Sequence, residues 1–186
     1  MIYLAYGSNI NLKQMKYRCP HSKVIGTAKI KDYELEFRGV ATIVPKKGAS
    51  VPILVWDLDK RDLPVLNRYE GHPHLYRQEK LNFLTDGKPK KGMAYLMNRG
   101  RIDPPSRSYY NTILEGYREN GLDVSFLRKA LENSYEHERI MFEQDMSEED
   151  GEDDDYDEDE DCDEDYDEDE DEEEGLGFLD EFQLKI

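Results

Sequence analysis

The chain has 186 residues, enough for one domain with a real core and some spare length, and its formal net charge of −18 is very unevenly spread. Residues 1–140 carry 24 Lys+Arg against 16 Asp+Glu, whereas residues 141–186 carry a single Lys against 27 acids, so a mildly basic part is followed by a strongly acidic one. No apolar run is long enough to cross a bilayer as a helix. Cys19 and Cys162 fall one in each part, which argues against a stabilising disulfide and suits free thiols in a reducing cytosol.

Met1 runs directly into apolar Ile2-Tyr3-Leu4, so a signal peptide is not expected and a cytoplasmic setting is. In chain order, residues 2–6 predict a strand that ends in the turn Gly7-Ser8-Asn9. Residues 12–18 predict a short helix capped by Asn9 or Asn11. Residues 23–37 alternate apolar and polar in their second half and predict one long bent strand or two short ones. VATIVP (40–45) and VPILVWDL (51–58) predict two strands joined by a turn at KKGAS. Asp59 or Asp62 then starts a helix that ends near Tyr69, with Pro64 in its first turn, where a missing N–H costs little. Residues 76–84 and 92–98 predict a hairpin around TDGKPKKG. Ser106 caps a helix through Asn120 that Gly121 ends, and Ser125 caps a last helix through about Tyr135.

Roughly six or seven strands joined mostly by short turns, with the helices concentrated late, predict an α+β fold. Its sheet is mixed, mostly antiparallel and barrel-like, with helices packed outside. The domain is expected over residues 1–140. Residues 141–186 are expected to form an acidic, low-complexity, disordered tail, too charged to bury. Its last twelve residues turn apolar again, and Phe178, Leu179, Phe182 and Leu184 would share a short amphipathic turn. Such a polyanion would screen the basic domain, offer charge to a basic protein partner, or serve solubility alone.

Two stretches invite a chemical reading. Backbone N–H groups in the strand-to-helix turn Tyr6-Gly7-Ser8-Asn9 suit an anion, and Gly7 admits close approach to the backbone. The same residues also make an ordinary turn. Glu70 ends a helix in RYEGHPHLY. Partial burial against Tyr69, Pro73, Leu75 and Tyr76 would raise its pKa and fit it for general acid and base work. Otherwise it is a helix-end glutamate in solvent.

YLAYGSN, GVATIVP, LNRYEGHPHLYRQ, GMAYLM and PPSRSYYNTILEGYRENGL, in that order, resemble the γ-glutamylcyclotransferase-like superfamily, which includes γ-glutamylamine cyclotransferase and the AIG2-like proteins. The resemblance runs from Met1 to about Tyr135. It implies a mixed β-barrel-like fold and a cofactor-free reaction on a small γ-glutamyl substrate, in which the substrate's α-amino group attacks its own γ-carbonyl to release 5-oxoproline and an amine. It implies Glu70 as the proton carrier and Tyr6, Gly7, Ser8 and Asn9 as the binders of the glutamyl moiety. Tyr95 and Tyr109 match family tyrosines near the pocket, with Tyr76 a further candidate; each also reads as a half-buried core tyrosine. A hollow the size of a five-membered lactam is expected between Glu70 and the loop.

No metal site is expected, because His72 and His74 lack a third ligand set and the acidic run lacks EF-hand spacing. Cys19 with His21 lacks an acid to complete a thiol nucleophile. The basic clusters at residues 46–47 and 88–91 have no interleaved stacking aromatics, so direct nucleic-acid binding is not expected. The alternative function is a non-catalytic binding module of this fold that uses the acidic tail to engage a basic partner.

Overall fold

The computed structural model describes residues 1–85 and 87–149. Residues 141–149, expected in the disordered tail, are helical; the expectations for the acidic run beyond them, for Cys162 and for the apolar end at residues 178–186 lie outside the described residues. Five strands, β1 (Ile2–Ala5), β2 (Lys23–Arg38), β3 (Val40–Asp57), β4 (Tyr76–Thr85) and β5 (Lys88–Met97), close a barrel in the order β1-β3-β2-β4-β5. Neighbours are antiparallel except β1 and β5, which run parallel at Tyr3 and Met93 and close the ring. A 3₁₀ turn (Ser8–Ile10) and α1 (Leu12–Arg18) follow β1. Helix α2 (Leu63–Tyr69) separates β3 from β4, and α3 (Arg107–Glu119) and α4 (Val124–Glu149) come last.

The strand count differs from expectation because KKGAS does not reverse the chain. Residues on both sides of it pair with β2, Pro45 with Tyr33 and Ser50 with Lys31, so residues 46–49 form a wide bulge in one long strand. Gly48, at φ +82°, donates its N–H to Asp32 Oδ1 at 2.8 Å and pins that bulge. The reversal falls instead at Gly39 (φ +72°), where Arg38 pairs with Val40.

The helix ends follow local chemistry. Asn11, not Asn9, caps α1, its side chain accepting from Gln14 N at 3.0 Å. Ser106 caps α3 by accepting from Tyr109 N. At α4 the capping oxygen is Asp123 Oδ1, which accepts from Ser125 N at 2.9 Å, so Ser125 lies inside the helix. That helix also runs well past Tyr135. Its sequence holds neither Gly nor Pro up to Glu149, and Arg139 pairs with Glu143 one turn on.

Fully buried Leu4, Ile30, Phe37, Ile53, Leu54 and Leu66 belong to the core. Helix α3 clamps the segment after β1. Asn120 Nδ2 donates to the Ile10 carbonyl at 3.1 Å, and Asn11 Nδ2 donates to Glu115 Oε2 at 2.8 Å. A Cβ on Gly116 would lie 2.8 Å from Asn11 N, so the helix backbone rests directly on that segment.

Candidate active site

Glu70 stands at the C-cap of α2, its N–H bonded to the Leu66 carbonyl at 3.0 Å. The loop Tyr6–Asn9 leaves the end of β1, and its 3₁₀ turn begins bonding only at Ile10 N, which donates to the Gly7 carbonyl. The N–H groups of Ser8 and Asn9 therefore lie outside the turn's own bonding. All eight residues singled out from the sequence, Glu70, Tyr6, Gly7, Ser8, Asn9, Tyr76, Tyr95 and Tyr109, line one pocket together with Tyr3 and Ala41.

The pocket is narrower than a lactam-sized hollow. It encloses about 270 Å³ counted to its open mouth, of which about 20 Å³ is wide enough for water. That is room for about one water molecule, because tyrosine side chains pack into the space. Admission of anything larger than water therefore requires some of these side chains to move.

Glu70 Oε1 accepts from Asn9 Nδ2 at 2.5 Å. Burial raises its pKa to about 7, outweighing the Asn9 hydrogen bond and the Arg18 charge, both of which favour the carboxylate. Of the expected wall only Tyr76 is in place. Pro73, Leu75 and Tyr69 are exposed, and the pocket's sides are the rings of Tyr3, Tyr6, Tyr76, Tyr95 and Tyr109. Burial, helped by the Glu70 charge, pushes the Tyr109 hydroxyl up to about 12, and burial likewise pushes Tyr95 to about 12. Tyr3, Tyr6 and Tyr76 are raised strongly for the same reason, so these phenols stay neutral while Glu70 titrates. Burial also raises the Cys19 thiol to about 11, which leaves it a poor nucleophile.

Hydrogen bonds fix most of these rings. Tyr6 donates its hydroxyl to the Tyr95 carbonyl, and Tyr76 donates to the Ala41 carbonyl at 2.7 Å. Tyr109 accepts from Ala41 N at 3.2 Å. The Tyr95 hydroxyl is committed to Asn67 Oδ1 at 2.5 Å and accepts from Gln78 Nε2 at 3.3 Å, so Tyr95 presents its ring to the pocket. Sequence reasoning missed Tyr3, whose hydroxyl accepts from Asn9 Nδ2 at 2.7 Å, and Arg18, which donates to Asn9 Oδ1. No sequence pattern marks them, since which tyrosine faces the pocket depends on barrel closure.

Fold and pocket together define a class: small closed-barrel proteins with one carboxylate facing a strand-end loop inside a tyrosine-lined pocket. Residues 3–116 match the family model described as "Gamma-glutamyl cyclotransferase, AIG2-like", and the chain belongs to that family. Proteins named γ-glutamylcyclotransferase from Homo sapiens and Bos taurus are each 30% identical over 142 residues, covering 69% of this chain and 76% of theirs. A solved structure named γ-glutamyl cyclotransferase superposes with a TM-score of 0.64 at 28% identity, over 70% of this chain and 85% of that one. YkqA from Bacillus subtilis, at 20% identity and a TM-score of 0.61, shares the fold over 73% of this chain and 54% of its own.

Proposed function

We propose that the protein is a γ-glutamyl cyclotransferase that releases 5-oxoproline and a free amine or amino acid from a γ-glutamyl compound, with Glu70 as general acid and base. One observation carries the reading: a buried carboxyl with a pKa near 7 stands against the Tyr6–Asn9 loop inside one pocket. Relatives named for this activity support it.

In this reading the Glu70 carboxylate takes a proton from the substrate α-ammonium. The freed nitrogen attacks the γ-carbonyl carbon, and the tetrahedral oxyanion rests against the Ser8 and Asn9 N–H groups. Protonated Glu70 then gives its proton to the leaving nitrogen as the C–N bond breaks and takes the second proton from the ring nitrogen, which leaves 5-oxoproline with one N–H, and the released amine takes up that proton as its ammonium. The cyclisation is intramolecular, so the pocket's main contribution is to hold amine and carbonyl in attacking geometry. The chemistry is a lyase-type cyclisation that calls on no cofactor. A cytosolic setting belongs to the proposal.

The test is 5-oxoproline release from a panel of γ-glutamyl amino acids and amines, with Glu70→Gln beside the parent chain. The expected result is turnover of at least one compound and a loss of about 10²- to 10⁴-fold in the variant. Equal turnover by Glu70→Gln, or none by the parent across the panel, overturns the reading.

A further inference from the structure

We propose that Arg18 is a positioning residue for this site: one guanidinium fixes the Asn9 carboxamide against Glu70 and, through Tyr69, fixes Ser8. The proposal rests on the reading of Glu70 as the proton carrier. Arg18 is not among the residues that line the pocket, so it acts through the residues it holds.

The Asn9 carboxamide sits among three groups. Its nitrogen donates to the Tyr3 hydroxyl at 2.7 Å and to Glu70 Oε1 at 2.5 Å, and its oxygen accepts from Arg18 Nη1. Arginine can only donate and an ionised carboxylate can only accept. Those two neighbours therefore force the amide to turn its NH₂ toward Glu70. Without Arg18 the amide is free to rotate, and its oxygen then faces protonated Glu70 as an acceptor. That rotation favours the acid form over the carboxylate that the first proton transfer needs.

The guanidinium is itself held in place. Arg18 Nη2 donates to Gln14 Oε1 at 3.2 Å, one turn earlier on α1. Its Cζ lies over the Tyr69 ring, 3.2 Å from the centroid, and the Tyr69 hydroxyl lies 2.9 Å from Ser8 Oγ. A single cation thus touches Asn9 directly and Ser8 through the ring beneath it, while Tyr69 is covalently next to Glu70. A lysine ammonium has three donors but no rigid planar fork to hold two partners at fixed positions.

The groups that act electrostatically with Glu70 come from every element around it. They are Tyr3 and Tyr6 at β1, Tyr76 on β4, Tyr95 on β5, Tyr109 on α3, and Arg18 with Cys19 at α1. The phenols and the thiol are neutral near pH 7, so Arg18 supplies the charge that favours the carboxylate.

The test uses the full chain carrying ¹³C-labelled glutamate, with Glu70 assigned by its missing resonance in Glu70→Gln. Its titration is followed in the parent, Arg18→Met and Arg18→Lys. The expected result is a midpoint raised by about one pH unit in Arg18→Met and by a smaller amount in Arg18→Lys. The acid limb of kcat/KM moves up with it, and kcat falls by about tenfold while KM changes less. Should Arg18→Met fail to fold, the Arg18→Lys midpoint decides alone. Unchanged midpoints, even with lowered thermal stability, overturn the proposal, because a purely structural role would not move the Glu70 titration. Absence of turnover in the parent refutes the cyclotransferase reading and leaves the titration to judge Arg18.

Discussion

Glu70 is caught between burial, which favours the acid, and two donors that favour the carboxylate, Asn9 directly and Arg18 by charge. Burial wins and the balance falls at about 7. In free substrate the α-ammonium lies beside its own carboxylate and titrates above the peptide amino value of about 8, and the α-carboxyl titrates well below 7, so a limb centred near 7 belongs to the protein. We expect kcat/KM to rise through an acid limb with its midpoint near 7, and we expect that limb to vanish from the residual activity of Glu70→Gln. A limb that survives the substitution would assign it elsewhere. The identity of this carboxyl was legible in RYEGHPHLY, but its surroundings were not. Gly71, at φ +59°, turns the chain sharply after Glu70 and carries Pro73 and Leu75 out to solvent. Of the sequence neighbours only Tyr76 on β4 reaches the wall, and the other tyrosines come from β1, β5 and α3.

Helix α3 touches the site through Tyr109 at its start and bears on the 3₁₀ turn through Gly116 near its end. The contact at Gly116 is backbone to backbone, with Asn11 N and Ile10 C both 2.8 Å from where a Cβ would stand. Neither atom can swing aside as a side-chain tip would. Gly116→Ala should force the helix off the turn, costing about 1–3 kcal/mol by overpacking. Displacing the turn also displaces Ser8 and Asn9, so 5-oxoproline release should fall further than the lost stability explains. Urea unfolding beside turnover at a temperature where the variant is fully folded measures both; full activity in the folded variant would show that the clamp does not place the loop. The short helices α1 and α2 were readable from Asn11 and Pro64, because caps and first-turn prolines are local signals; Asp62 stands before α2 but gives its carboxylate to His21 and Ser22 and caps nothing. The long strand β3 was not readable, because Lys-Lys-Gly inside it carries turn chemistry while its flanks pair with one and the same neighbour. Local composition cannot tell a wide bulge from a reversal.

Barrel closure brings Asn9 and Glu70, 61 positions apart, into hydrogen-bond contact, and it does so by burying a carboxyl that the unfolded chain leaves in water. That arrangement has a thermodynamic consequence for the whole molecule. The Glu70 pKa is about 7 when folded against 4.5 as the ordinary value. Below pH 4.5 both states hold the proton and the site is neutral to stability. Between 4.5 and 7 the unfolded chain releases its proton while the folded one retains it, so folding weakens as pH rises, and the loss is complete above the folded pKa. The shift corresponds to a penalty on the order of 2 kcal/mol once the solvent-facing part of the side chain is allowed for. Glu70→Gln has no proton to release and still offers Asn9 an acceptor oxygen. It should therefore be more stable than the parent by on the order of 2 kcal/mol at pH 8 and nearly equal to it at pH 4. Urea midpoints of the two chains at both pH values check this, because pH effects from every other group cancel in the difference. If the gap were the same at pH 4 and pH 8, Glu70 would not be titrating in a buried site, and the acid–base role built on that burial would lose its physical basis.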